Sequence, residues 1–200
     1  IYVLPFLAYT QPRIARNLLR HRFMMLPEAR DRATEMAQRG AMFPWRTING
    51  EEASAYYQAG TAQYHINADI VHAIRKYVEI SGDETFLAHQ GAEILVETAR
   101  LWRSLGFFSE RRGGRFCIHA VTGPDEYNTV VNNNTFTNLM ARQNLRYAAD
   151  VMAYLRDHAP EAYAAIIDHT RFRSREAREW RAAADAMFVP YDEELGIHLQ

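Results

Sequence analysis

Residues 84–105, ETFLAHQGAEILVETARLWRSL, carry Leu87, Gly91, Ile94, Leu95, Thr98, Leu101, Trp102 and Leu105 at intervals of three and four. That spacing lines them along one face of a helix. Asp83, just before the run, is a good N-cap, so a helix is predicted from Glu84 to Leu105. Upstream, Ile66, Ile70, Ala73, Ile74, Tyr77 and Val78 share one side of a helix predicted over 61–80. Before it, a helix is predicted from Pro27 to Arg39, closed by Gly40 at a C-cap position, and another from Pro12 to about Leu19, with Pro at the first helical position. Downstream, helices are predicted over 135–157, 160–169 and 174–187, the last capped by Ser174, and then a loop to Gln200. Between them, 107–119 reads as a short hairpin around Gly113-Gly114. The fold class is therefore all-α. Antiparallel helix pairs with long loops at one end predict a helical toroid with its site at the loop end. A simple bundle would use short loops throughout, and a solenoid would show a repeat.

Composition narrows the function. The chain has 200 residues, 48% of them hydrophobic, enough for a core. Its formal charge of -1, from 23 basic and 24 acidic residues, argues against nucleic acid or a membrane surface as a partner held by bulk charge. One cysteine, Cys117, excludes an intrachain disulfide and a cysteine-rich zinc site, and fits a reducing, cytoplasmic compartment. The apolar opening, Ile1 to Tyr9, is too short to span a bilayer and lacks the basic flank of a signal peptide. His21, His72, His89, His158, His169 and His198 show no metal-ligand spacing, so no metal is expected. Phosphate-binding glycine loops and the serine-hydrolase elbow are absent. The chain opens on Ile1 rather than Met, and it is expected to be a piece of a longer polypeptide that carries part of a site.

Two constellations suit chemistry. The first is Gly123-Pro124-Asp125-Glu126-Tyr127, followed by Asn132-Asn133-Asn134. Two carboxylates on a Gly-Pro turn are aimed, as a general acid must be. The same residues also suit a plain turn in which Asp125 acts as a cap. The triple asparagine suits a pocket lining or the cap of the following helix, and the cap is favoured. The second is the long irregular segment 41–60, with Trp45, Arg46, Asn49, Glu51 and Glu52, running on to Gln63, His65 and Asn67. Trp offers a flat face to a sugar ring, Arg a planar donor fork, and the carboxylates accept from hydroxyls. Each taken alone also suits structure: Trp45 as a loop anchor, Arg46 paired with a glutamate, His65 as a hydrogen-bonded structural residue. Together, in a loop longer than ordinary connections, they suit binding.

At these stretches the chain resembles glycoside hydrolase family 65, the maltose, kojibiose and trehalose phosphorylases. The matching segments are LPFLAYTQP, ARDRATEMAQRGAMFPWRTINGEE, AGTAQYHINADI, ILVETARLW and HAVTGPDEYNTVVNNNTFTN, within about Leu4 to Gly196. The resemblance implies an (α/α)6 barrel catalytic domain, present here only in part over 1–200, with the N-terminal and C-terminal β domains of the parent outside it. It implies inverting phosphorolysis of an α-linked glucose disaccharide to β-glucose 1-phosphate and a free sugar. Inorganic phosphate is the co-substrate and no cofactor is expected. The role of general acid falls on Glu126, with Asp125 orienting the turn. Glu52, His65 and Asn67 fall in or beside the glucose pocket, Trp45 and Arg46 bear on the acceptor sugar, and Tyr127 is a hydrogen-bonding partner of the site. A homodimer is the family expectation. The phosphate-binding segments of the family lie beyond Gln200. Two alternatives stand beside this reading: an inverting α-glucosidase on the same fold, and a sugar-binding homologue without catalysis.

Overall fold

Apolar periodicity is realised as ten helices and one hairpin in the computed structural model, which describes residues 3–54 and 58–200. Helices α1 (Val3–Thr10), α2 (Pro12–Met24) and α3 (Leu26–Glu35) open the chain, and the long loop ends in the short α4 (Gln58–Thr61). Helix α5 (Ile66–Ser81) follows, and α6 (Glu84–Phe86) runs through a π turn (Leu87–Gly91) into α7 (Ala92–Leu105). The hairpin pairs β1 (Phe107–Ser109) antiparallel with β2 (Arg115–Cys117), Phe108 opposite Phe116. Helices α8 (Thr135–His158), α9 (Pro160–Thr170) and α10 (Ser174–Asp185) complete the chain, and 189–200 is irregular apart from an Asp192–Ile197 bridge. The all-α expectation holds.

Helix α8 is the hub, packing on α5, α7, α9 and α10, while α1 lies on α2 and α5. The predicted stripe of α7 faces this core: Ile94, Leu95, Leu101 and Trp102 are fully buried, and Trp180 of α10 joins them. The polar groups taken inside are paired. Trp102 Nε1 donates to Asn144 Oδ1 at 2.9 Å, and the Asn144 amide donates to Thr98 Oγ1 at 3.1 Å. A buried network of this kind is stable only when its members find partners. A second network ties α3, α7 and α10. Arg30 reaches Glu93 at 2.6 Å and Glu97 at 3.0 Å, and Arg100 bridges Glu97 at 3.2 Å and Glu176 at 2.7 Å. Burial pushes the Glu176 carboxyl up, but Arg100 and the Arg173 N–H outweigh it and hold it below the ordinary range.

Caps account for most helix ends. Asp83 accepts from the Phe86 N–H at 2.9 Å and from the Tyr77 hydroxyl at 2.7 Å, as a predicted N-cap should. Asn134 caps α8 through the Thr137 N–H at 3.0 Å, so the triple asparagine does serve as a cap. Several boundaries are not those read from the sequence, among them α2, which runs on to Met24 rather than about Leu19. The opening segment is helical as α1, because Pro5 falls in its first turn, where no intrahelical N–H is needed. Helix α3 stops at Glu35 rather than Arg39. The turn is made by Ala37 (φ 55°), with the Gln38 N–H on Ala33 O at 2.7 Å. Gly40 serves a different need: at φ 85° it crosses α7 so closely that a Cβ would lie 2.0 Å from Glu97 O. Helix α5 begins at Ile66 rather than Thr61, which belongs to α4. Helix α10 is capped by Arg173, whose N–H donates to Glu176 at 3.0 Å, leaving Ser174 as its first residue.

Candidate active site

Residues 118–134 form an arm closed at its neck. Val121 and Val131 pair antiparallel, with N···O distances of 3.0 and 2.8 Å. Below the neck, Asn133 Oδ1 accepts from Ile118 N–H at 3.2 Å and Asn132 Oδ1 from Ala120 N–H at 3.1 Å. The backbone is bent hard here: Ala120, Val130 and Asn133 have φ of 56°, 55° and 59°. A β-branched residue in that region is strained and is held there only by the surrounding contacts. Gly123 has an ordinary φ. Its value is space, because a Cβ would meet the Asn134 amide at 2.5 Å. The arm docks on the segment between α4 and α5. Thr122 N–H donates to Ala62 O at 3.0 Å and Thr122 Oγ1 to Gln58 O at 2.9 Å.

At the tip, Asp125 folds the turn over itself. Its Oδ1 accepts from Tyr127 N–H at 3.2 Å and its carbonyl from Asn128 N–H at 3.2 Å, the turn-orienting part expected of it. Glu126 is the next residue, and its Oε1 accepts from Gln63 Nε2 at 2.8 Å. Among the described residues no hydrogen bond engages Oε2. Gln63 is buried, and its other polar contacts are Ala59 O at 2.6 Å and His65 Nε2 at 3.1 Å. His65 in turn faces Asp69 Oδ2 through Nδ1 at 2.7 Å. Its ring stands edge-on to Trp45, 6.4 Å between centroids, and to Phe136, 5.6 Å. Trp45, Gln63, His65 and Glu126 therefore belong to one constellation, with the tryptophan partly open to solvent.

The other predicted site residues take different parts. Glu52 is engaged on both oxygens. Oε2 accepts from Arg32 at 2.5 Å and from Trp45 N–H at 2.9 Å, while Oε1 accepts from Arg46 N–H at 3.2 Å and Ser54 N–H at 3.0 Å. Burial pushes this carboxyl up, but Ser54, Trp45, Arg46 and the Arg32 guanidinium outweigh it and hold it below the ordinary glutamate range. Through these four contacts it holds the loop in shape. The cation on Glu52 is Arg32 of α3, and Arg46 contributes its backbone N–H. The Arg46 side chain is exposed on that loop. Asn67 is likewise engaged with the backbone of the loop. It is fully buried, its Oδ1 takes the Phe43 N–H at 3.1 Å, and its amide donates to Tyr64 O at 3.1 Å, so it clamps the loop to α5. Tyr127 is 98% exposed, and its N–H is the group that Asp125 accepts.

Gln63, named in the sequence only as part of the stretch that runs on to His65, was given no role of its own. Its only signal was its position two residues before His65 in the same stretch. A cleft of about 720 Å³ lies among Glu28, Asp31, Arg32, Glu35 and Glu52 and is not lined by Glu126, His65 or Trp45. Its acidic wall is a poor host for an anion. Among the described residues no group of three or more His, Cys, Asp or Glu is placed to hold a metal ion, and no helix is long and apolar enough to cross a membrane.

Residues 1–200 match the description "Glycosyl hydrolase family 65 central catalytic domain". The chain is 49% identical to an α,α-trehalose phosphorylase of Thermoanaerobacter brockii over 98% of its own length and 26% of that protein. It is 36% identical to a kojibiose phosphorylase of Halothermothrix orenii, over 98% and 27%. Among solved structures, a putative kojibiose phosphorylase from human microbiome superposes with a TM-score of 0.87 at 32% identity, over 100% of this chain and 26% of that one. The chain thus spans about a quarter of the length of the curated relatives it matches. Its helices are part of the (α/α)6 toroid that the loop pattern and the resemblance both predicted. The chain belongs to glycosyl hydrolase family 65, as part of its central catalytic domain.

Proposed function

We propose that these residues are the acid-bearing part of a phosphorylase that cleaves an α-linked glucose disaccharide with inversion, giving β-glucose 1-phosphate and a free sugar. The observation that carries this reading is the Glu126 carboxyl, held on one oxygen by Gln63 and unengaged on the other, on an arm anchored at its neck. Such a group can hand a proton to a departing glycosidic oxygen. Phosphate, a nucleophile in its own right, attacks the anomeric carbon from the opposite face as that bond breaks. Gln63, which holds the acid, also meets His65, and Trp45 stands edge-on to His65 with a partly open face that suits a sugar. A water-activating carboxylate, which an inverting hydrolase requires, is not offered by Glu52, whose oxygens are filled by four donors.

The names and identities of the relatives support α,α-trehalose ahead of kojibiose as substrate. The 200 residues are read as one stretch of a single barrel domain, with phosphate-binding segments and β domains supplied from outside them. The protein would work without a cofactor, in the cytoplasm and as a homodimer. The test is an assay of the full-length protein with trehalose, kojibiose and maltose, each with and without phosphate. Phosphate-dependent β-glucose 1-phosphate is expected, fastest from trehalose. Glucose released equally fast without phosphate would make it a hydrolase, and sugar binding with no product at all would make it a binding homologue.

A further inference from the structure

The strongest unused observation is the line of side chains behind Glu126. Ala59 O can only accept a hydrogen bond, so the Gln63 atom 2.6 Å from it is the amide nitrogen. The amide orientation is thereby set, and the Gln63 oxygen must be the atom facing His65 Nε2 at 3.1 Å. On its other side His65 meets a carboxylate oxygen of Asp69 at 2.7 Å. The Gln63 oxygen can only accept, so the ring presents its Nε2–H to it, with Nδ1 against Asp69. Every bond on the line then points one way: His65 donates to Gln63, and Gln63 donates to Glu126 Oε1 at 2.8 Å. Both hydrogens of the Gln63 amide are engaged, one on Ala59 and one on Glu126. The amide has no rotation left that keeps its partners.

We propose that Gln63 is a positioning residue for the acid: its N–H occupies Oε1 of Glu126, so that the transferable proton resides on Oε2, the oxygen left open to the glycosidic bond. The Asp69–His65 pair acts through Gln63, holding the amide the right way round. This rests on the reading of Glu126 as the acid. In the transfer step the Oε2–H bond breaks as the proton joins the leaving oxygen. The C–O bond electrons go with that oxygen, and phosphate forms the new bond to carbon. Gln63 gives up no proton. It fixes which oxygen presents one, and a misplacement of about 1 Å at that point costs on the order of 100-fold in rate.

The test compares two glucosyl donors on the full-length protein with phosphate. One is the preferred disaccharide, whose leaving oxygen needs a proton. The other is α-glucosyl fluoride, whose fluoride leaves with its electron pair unaided. Gln63→Met has nearly the same volume and no donor. It is expected to lower kcat on the disaccharide about 10- to 100-fold while leaving the fluoride within about threefold. Gln63→Glu retains an acceptor for His65 but lacks the paired N–H donors. It is expected to show the same selective loss, and it serves if the methionine variant does not fold. Equal losses on both donors, or none on the disaccharide, would overturn the inference. Glu126→Gln separates it from the parent reading. If that change spares disaccharide turnover, the acid assignment itself is wrong. If it is selective while the Gln63 variants are not, only the positioning role fails.

Discussion

Glu52 and Glu126 sit on loops that both dock on the 58–65 segment, yet their carboxylates are used in opposite ways. Glu52 receives four donors, two on each oxygen, and its side chain is only 12% exposed. Among the described residues Glu126 receives one donor, on one oxygen, at an exposed tip. A carboxylate saturated by N–H groups is stabilised as the anion and has no lone pair facing a ligand. A carboxyl with one free oxygen can exchange a proton with a substrate. The contrast teaches that two loop carboxylates are told apart by counting their donors, and that position in the sequence alone does not separate them.

The largest effect that sharpens this contrast lies at Glu126. Changing it to Gln in the full-length protein should lower disaccharide phosphorolysis by about 10²- to 10⁴-fold. Because the side chain is exposed, stability should move by no more than about 0.5 kcal/mol. Turnover and thermal midpoint measured on the same preparation check both halves. A large fall in stability with a matching fall in turnover would put Glu126 in the same class as Glu52.

Glu52 should behave the other way. Its removal as Glu52→Ala strands Arg32, itself mostly buried, and frees three backbone N–H groups. Breaking such a pair from one side costs about 3 kcal/mol. Local opening of the loop should then speed hydrogen exchange at Trp45 and Arg46 by about 100-fold, since 1.4 kcal/mol is tenfold. The pH dependence has a definite sign. The folded carboxyl lies below its ordinary range, so the unfolded loop takes up the proton first as pH falls. The stabilisation is complete above the unfolded value of about 4.3 and is lost as pH drops through the folded one. Protection of Trp45 and Arg46, corrected for intrinsic exchange, should fall in that window, and the fall should vanish in Glu52→Gln.

These two sites also mark the limit of what the chain discloses unaided. The stripe of α7, the caps at Asp83 and Asn134 and the Gly113-Gly114 hairpin are local, and period or residue type suffices to read them. The end of α3 is not marked by its glycine: Ala37 makes the turn, and Gly40 is needed where the chain crosses α7. Glu52 illustrates the same limit in the site. Its cation comes from Arg32, 20 residues upstream on another helix, while the adjacent Arg46 supplied the obvious but wrong partner. Gln63 left no trace because an amide beside a histidine has no spacing rule. Only the three-dimensional meeting with Ala59 O and Glu126 gives it meaning.

A smaller effect is expected at Asn67, which the sequence placed among the sugar contacts and the structure places beneath the loop. Asn67→Ala leaves the Phe43 N–H buried without its acceptor. Such an orphaned donor costs about 1–3 kcal/mol. The effect should appear as weaker protection of the Phe43 amide, with the Michaelis constant for the disaccharide nearly unchanged. A large rise in that constant with stability intact would return Asn67 to the sugar pocket and break the distinction drawn from Glu52.

The smallest effect belongs to Tyr127, one residue beyond the acid. Within this chain its ring meets solvent, so Tyr127→Ala removes no packing and should shift the thermal midpoint by an amount worth less than about 0.5 kcal/mol. The turn beneath it is held by backbone and Asp125 contacts that an alanine retains, including the Tyr127 N–H on Asp125 Oδ1. Turnover is the more telling readout. If it is unchanged, the aromatic ring beside the acid is incidental to the chemistry. If it falls while the fold is intact, the ring works against a surface outside these 200 residues, and the acid turn serves as a joint between this part of the barrel and the rest. The two results can be told apart in one preparation, because a stability change and a rate change at so exposed a position have no common cause within the chain itself.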